Sequence, residues 1–305
     1  MTKFWKRPLP VRSGQKVTVL APAGRISREA VAAGLDGLRN WGLEVATGEH
    51  LFARLHQFAG TDAQRLADLQ RALDDPGTAA ILCARGGYGT TRIVDGLDFT
   101  AFLRQPKWLV GYSDITTLHL HLHRLGVESL HATMPLLFGR DTPPSIGSLR
   151  NLLFGGEMDY SVAPHQLNRP GEGSGVLVGG NLALLVSNIG TASDVDTQNK
   201  ILFLEDINEY LYSLDRMMIQ MKRSGKLAGL AGLVVGHFTD SKDNDIPFGK
   251  DPYEIVADAV RAYGFPVCYG FPVGHEPENR AMPCGRTVHL AVGPDGVILS
   301  SAQAV

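Results

Sequence analysis

Short apolar runs alternate along the first half of the chain with segments whose apolar positions recur at helical spacing. "KVTVLAP", "LEVAT" and "AAILCA" are the runs, and "SREAVAAGLDGLRNWG" and "TDAQRLADLQRALDD" lie between them. Continuous apolar runs suit strands buried on both faces, and the helical period suits helices packed on one side. The rhythm therefore predicts βαβα units around a parallel sheet. The second helical segment places Leu66, Leu69 and Leu73 on one face with Thr61 as its N-cap, and the first ends at Gly42 after Trp41. A strand "WLVG", a helix over about 115–125 and a short helix in "SIGSLRNLLFGG" continue the pattern.

Between 155 and 169 glycine and proline replace periodicity, which predicts a linker over 156–170 joining a domain at 1–155 to one at 171–305. Beyond it, "GVLVGGNLALLVSNIG", "KILFLEDINEY", "LAGLVVGHF", "RTVHLAV" and "GVILSS" supply strands, with helices near 212–224 and 252–263. The second half thus reads as a smaller mixed α/β, β-rich domain. The fold class is α/β.

The length of 305 residues permits two domains with a sizeable core. A net charge of −2, with 20% charged and 44% hydrophobic residues, leaves no basic footprint for nucleic acid or an anionic membrane and favours small partners. Cys83, Cys268 and Cys284 are too few and too scattered for a disulfide framework or a cysteine zinc site. Prolines and charges interrupt "MTKFWKRPLPVRSGQKVTVLAPAG" before the apolar core of an export signal can form, and no stretch reaches the ~20 apolar residues of a membrane span. The expectation is a cytoplasmic protein with no membrane partner.

Chemistry concentrates where apolar runs end. In "KWLVGYSDITTLHLHLHR" a strand feeds a helix through Gly111-Tyr112-Ser113-Asp114. Such a turn can hold the Ser113 hydroxyl above the sheet beside helix N-terminal amides, as a nucleophile elbow does. Ser-Asp before a helical run is equally an ordinary N-cap, and Ile115 stands where G-x-S-x-G needs its second glycine. A nucleophile also requires a base and a carboxylate. "ILFLEDINEY" predicts a strand that ends at Glu205-Asp206, a position at a pocket edge or a plain strand-end charge, and "YGFPVGHEPENRAMPCG" holds His275 in a Gly/Pro-rich loop, its imidazole clear of core packing. The order Ser, Glu, His is that of α/β-hydrolase-type triads.

In "ILCARGGYGTTR" the Gly86, Gly87 and Gly89 turn can offer bare N–H groups to an anion, and the dinucleotide fingerprint and Walker lysine are both missing. The remaining use is an oxyanion hole built from the Gly87 and Asp114 N–H groups. Cys83 is a weaker rival nucleophile inside an apolar strand. His119 and His123 share a helix face and suggest a metal pair, but no third ligand is local, and Ile115, Leu118, Leu122 and Leu125 already form the core stripe that the histidines should flank.

"LAPAG", "ARGGYGTTRIVDGLDF", "GYSDITTLHLHL", "GGNLALL", "LFLEDINE" and "GHEPENRAMPCG" occur in the order found in the LD-carboxypeptidase and microcin-immunity serine peptidase family, which the chain resembles over nearly its whole length. The resemblance implies a flavodoxin-like N-terminal sheet, a smaller C-terminal domain, often a homodimer, and no cofactor or metal. It implies Ser113 as nucleophile, Glu205 as orienter, His275 as general base, and an oxyanion hole at the Gly87 and Asp114 backbone. One branch of the family removes the terminal D-alanine of murein tetrapeptides during cell-wall recycling; the other cleaves peptidyl or aminoacyl nucleotide antibiotics and tends to carry a nucleotide-stacking aromatic. Between Gly155 and Gly180 there is no Trp and only Tyr160, which favours the first branch. "MPCG" departs locally from the family's pattern. Arg85 and Arg280 are the candidates for holding the substrate carboxylate, or are structural ion pairs. Readings of another class are a two-lobed protein that only binds a small ligand and a metal-dependent amidase built on His119 and His123.

Overall fold

The computed structural model describes residues 5–302; the first four residues of the stretch read for an export signal lie outside that range. In the first half, β1 (Lys16–Leu20), α1 (Arg28–Asn40), β2 (Glu44–Thr47), α2 (Asp62–Asp74), β3 (Thr78–Cys83), α3 (Thr100–Arg104), β4 (Trp108–Gly111), α4 (Thr116–Leu125), β5 (Ser129–His131) and α5 (Pro143–Leu153) follow one another. The helix starts follow from capping. Ser27 Oγ accepts the Ala30 N–H, and Thr61 and Gln64 form a reciprocal capping box that opens α2. Leu69 and Leu73 of α2 are buried and Leu66 packs partly buried against the same core. Strands β1 to β5 are parallel in the order 2-1-3-4-5, the flavodoxin order, in which ligands bind beyond the carboxyl ends of the strands.

The second half comprises β6 (Asp159–Val162), β7 (Gly171–Asn181), α6 (Leu182–Ser187), β8 (Lys200–Ile207), α7 (Leu211–Arg223), β9 (Gly232–Thr239), α8 (Pro252–Val260), β10 (Val267–Cys268), β11 (Met282–Cys284), β12 (Thr287–Val292) and β13 (Val297–Ser301). Its sheet runs β10-β9-β8-β7-β12-β13-β6, parallel from β7 to β10 and antiparallel through β12, β13 and β6. The mixed, strand-rich character matches the expectation.

Two placements differ from it. The stretch at 156–170 contains β6, an edge strand paired with β13. The late strand β11 leaves the second half and pairs antiparallel with β5 of the first sheet. A single apolar core consequently runs from Val17 and Val110 through Met282 to Phe203 and Leu290, joining the two sheets. Smaller cores lie under α6 to α8 and on the outer face of the first sheet. Among the described residues no helix is long and apolar enough to cross a membrane.

Candidate active site

Strand β4 is buried throughout, and the chain leaves it through Tyr112 into a single 3-10 turn, Ser113–Ile115, ahead of α4. Ser113 has φ +63°. This left-handed conformation costs an L-residue about 1–2 kcal/mol and persists where its surroundings enforce it. Tyr112 and Ile115 occupy the N-cap positions, neither with a side-chain cap bond, so Ser113 is not a helix cap. Its side chain faces the loop after β3. A Cβ at Gly86 would stand 3.0 Å from Ser113 Cβ and 3.3 Å from its Oγ, so a glycine permits this approach.

Two bonds fasten that loop to the turn: the Thr90 N–H donates to Asp114 Oδ2 (2.9 Å) and Thr90 Oγ1 donates to the Asp114 carbonyl (2.7 Å). Burial raises the Asp114 carboxyl against these donors. Among the described residues the Gly87 N–H has no protein acceptor, which leaves it able to meet an anion. Cys83 is fully buried beneath, and burial pushes its thiol far up, out of the range of a nucleophile.

Strand β8 does not stop at Glu205 and Asp206 but continues to Ile207, with its register against β9 shifting between Leu204 and Asp206. Such an irregularity re-aims side chains, and Glu205, 0% exposed, lies at it. Its Oε2 is 2.7 Å from His275 Nδ1. The loop histidine is not clear of packing as expected. Its side chain is 12% exposed, and its ring centroid lies 4.8 Å from that of Tyr112, the neighbour of Ser113. Burial lowers the proton affinity of His275, but Glu205, by charge and by hydrogen bond, together with the charges of Asp206 and Glu276 outweighs it, and the pKa is raised. A proton held on Nδ1 by Glu205 leaves Nε2 as the acceptor.

Asp206 serves a different set. Its carboxylate accepts from Asn181 Nδ2 (2.7 Å), the Ile207 N–H (2.8 Å) and the Ala183 N–H (3.0 Å). Burial first, then the neighbouring Glu205 charge, raises it to about 7. Asn181 also donates its own N–H to Thr116 Oγ1 on α4 (3.1 Å) and caps α6 through Leu184 N–H. This bridge between the halves was not assigned from the sequence, although Asn before the apolar run of "GGNLALL" is a readable N-cap signal. Tyr112 was also missed, since an aromatic in a turn carries no pattern of its own.

Arg85 donates to the Arg25 carbonyl (2.9 Å), and Arg280 pairs with Glu278 (2.8 Å) while lying over the Tyr160 ring. None of these contacts reaches Ser113 or His275. The histidines do not flank the core stripe but are themselves packed. His119, 1% exposed, bonds Ser129 Oγ and the Gly111 carbonyl (both 2.8 Å), and buried His123 packs against Trp5 with the rings tilted by 50° and their centroids 4.2 Å apart. Among the described residues no group of three or more His, Cys, Asp or Glu side chains is placed to hold a metal.

The chain matches family models described as the LD-carboxypeptidase N-terminal domain over residues 17–132 and the LD-carboxypeptidase C-terminal domain over 174–290. It is 37% identical to a probable murein peptide carboxypeptidase of Bacillus subtilis (strain 168), covering 92% of this chain and 89% of that one. It is 32% identical to the murein tetrapeptide carboxypeptidase of Pseudomonas aeruginosa, covering 90% and 92%. Among solved structures, the muramoyltetrapeptide carboxypeptidase of Oxalobacter formigenes superposes with a TM-score of 0.87 at 28% identity, over 95% of this chain and 99% of that one. A microcin C7 self-immunity protein in complex with glutamyl sulfamoyl guanosine shares the fold, with a TM-score of 0.85 at 18% identity over 98% and 99%. Matched in both halves by the family's own models, the chain belongs to the LD-carboxypeptidase family of peptidases.

Proposed function

We propose that this peptidase is a serine carboxypeptidase that hydrolyses the L,D-peptide bond before the terminal D-alanine of murein tetrapeptides, in the cytoplasm, with Ser113, Glu205 and His275 as its triad. The observation that carries the reading is the left-handed Ser113 turn, with Tyr112 beside an imidazole held 2.7 Å from a buried carboxylate. His275 Nε2 takes the hydroxyl proton as Ser113 Oγ attacks the carbonyl carbon, and the Gly87 and Asp114 N–H groups receive the oxyanion. The C–N bond then breaks, His275 returns the proton to the departing amine, and free D-alanine leaves. Water attacks the acyl-enzyme by the reverse proton path, releasing the tripeptide and restoring Ser113. Glu205 holds the imidazole by its Nδ1 and stabilises the imidazolium that forms.

The murein reading draws on the Bacillus and Pseudomonas relatives. The experiment is mass spectrometry of products from D-alanine-terminated murein tetrapeptides, their all-L counterparts and aminoacyl sulfamoyl nucleosides. Release of D-alanine from the L,D-peptides alone is the expected result. Cleavage of only the nucleoside conjugates would move the substrate to the microcin branch, and binding without any product would leave a ligand-binding protein.

A further inference from the structure

The loop that carries His275 runs without regular structure from β10 to β11 and contains Pro272 and Pro277, which have no N–H to anchor. Strand β9 fastens its first part, with the Phe271 N–H donating to the Val235 carbonyl (3.1 Å), the His237 N–H to the Val273 carbonyl (2.9 Å) and Thr239 Oγ1 to Glu276 Oε1 (2.9 Å), and beyond it Pro277 to Ala281 are held from the other half of the molecule. Ser145, in the first turn of α5 and 0% exposed, donates its hydroxyl proton to the Pro277 carbonyl (3.0 Å). The same oxygen accepts the Asn279 N–H (2.8 Å) and lies 3.1 Å from Thr142 Oγ1. One donor and two acceptor sites are all a serine hydroxyl has, so with Thr142 as the second donor its capacity is filled and its orientation is unique.

The connection continues to the imidazole. Asn279, itself buried, uses its side-chain oxygen to accept the N–H of Gly274 (3.2 Å), the residue immediately before His275. One helical turn along α5, Ser148 accepts the Ala281 N–H (3.0 Å) and donates to the Ser145 carbonyl (2.8 Å). Thr142 N–H adds a bond to the Pro277 carbonyl (3.0 Å). The start of α5, in the nucleophile-bearing half, therefore grips the loop on the C-terminal side of His275, and the Asn279 side chain carries that hold across to Gly274.

We propose that Ser145 is a positioning residue for His275, acting through Asn279 to fix the imidazole between Glu205 and the Ser113 turn. The inference rests on the triad reading above. Removing the hydroxyl leaves the Asn279 N–H buried without a partner, so the loop shifts to find one, and a shift of about 1 Å at a catalytic group costs up to about a hundredfold in rate.

The test is Ser145→Ala, followed by kinetics on a D-alanine-terminated tetrapeptide and by NMR titration of the His275 ring, assigned through its loss in His275→Ala. The titratable groups facing the ring, Glu205, Asp206, Glu276, Tyr112 and His131, are untouched by the substitution. Expected are a fall in kcat of about ten- to a hundredfold with KM within about twofold, and a His275 titration moved to lower pH as its contact with Glu205 loosens. A variant with a lowered melting temperature but wild-type kcat and an unmoved His275 titration would make Ser145 a structural residue only and overturn the proposal. If Ser145→Ala does not fold, Ser148→Ala carries the same test with a smaller expected shift, and wild-type behaviour there overturns it. Full activity in His275→Ala would instead sink the triad reading, and the ring titration in the serine variants would still decide whether α5 holds the loop.

Discussion

The Ser113 turn and the His275 loop face each other across the same site but are held in place by different means. The turn is local: a buried strand, a left-handed residue and a helix succeed one another within a few positions, and a glycine loop from the adjacent strand closes on them. The loop has local bonds of its own, such as the Arg280 N–H to the Pro272 carbonyl (2.8 Å), but the contacts that place its imidazole come from far along the chain. Its partner Glu205 is 70 residues away in sequence, and its anchor Ser145 is 134 residues from Asn279. The proposed nucleophile is therefore a property of one strand end, whereas the proposed base takes its place only once β8 and the start of α5 have both met its loop. Glu205 itself depends on the second arrangement, since its charge is buried and His275 Nδ1 is the group that meets it.

The largest effect should come from breaking the local side. Ser113→Ala is expected to lose at least about four orders of magnitude in kcat while keeping its fold, and product release by mass spectrometry checks it. On the long-range side, Glu205→Gln should cost about a thousandfold or more. A pH–rate profile then gives the sign: His275 must be neutral to act, and its proton affinity is raised by Glu205, so kcat/KM of the wild-type protein falls as pH drops through a value above the ordinary ~6.5 of histidine. Loss of the carboxylate should move this limb to lower pH. Asp206, raised to about 7 partly by the same charge, also acts on His275, so the limb reports the two groups together.

A smaller effect tests the seam between the two regions. Gly180 has φ +138°, and a Cβ there would stand 2.5 Å from Thr116 Oγ1 at the root of α4. Gly180→Ala should destabilise by about 2–3 kcal/mol, read as a lower urea midpoint. The smallest difference sharpens the description of the turn itself. Ser113→Gly should be more stable than Ser113→Ala by about 1 kcal/mol in chemical denaturation, because glycine takes the left-handed conformation without strain. Equal stabilities would mean that the turn stores no strain at position 113.

This contrast also governs what the sequence made legible. The βαβα rhythm, the Thr61 cap and the strand-to-helix break at Ser113 are short-range patterns, and the observed elements follow them. The packing of His275 against Tyr112 and the Asn181 bridge from Asp206 to α4 are not written in any local period, because the partners meet only after folding. The proposed triad rests on family resemblance rather than on spacing. His119 and His123 illustrate a limit of helical periodicity: it identified their common face but not that Ser129, Gly111 and Trp5 would cover it. Strand β6 is too short, and its surroundings too rich in glycine and proline, for alternation to reveal it.

The return of β11 to the first sheet bears on how the chain is made. Synthesis proceeds at about 5–20 residues per second, and the outer edge of β5 has no strand beside it until Met282–Cys284 have emerged. Throughout that interval the nascent first half offers unpaired backbone groups that another chain could capture. When β11 arrives it brings Pro283, which has no N–H, as the middle residue of what is now the outermost strand. Proline there blunts further strand addition. The strand that completes the sheet thus also ends its growth, and a nascent chain stays vulnerable to misassembly until β11 has emerged, about 150 residues after β5.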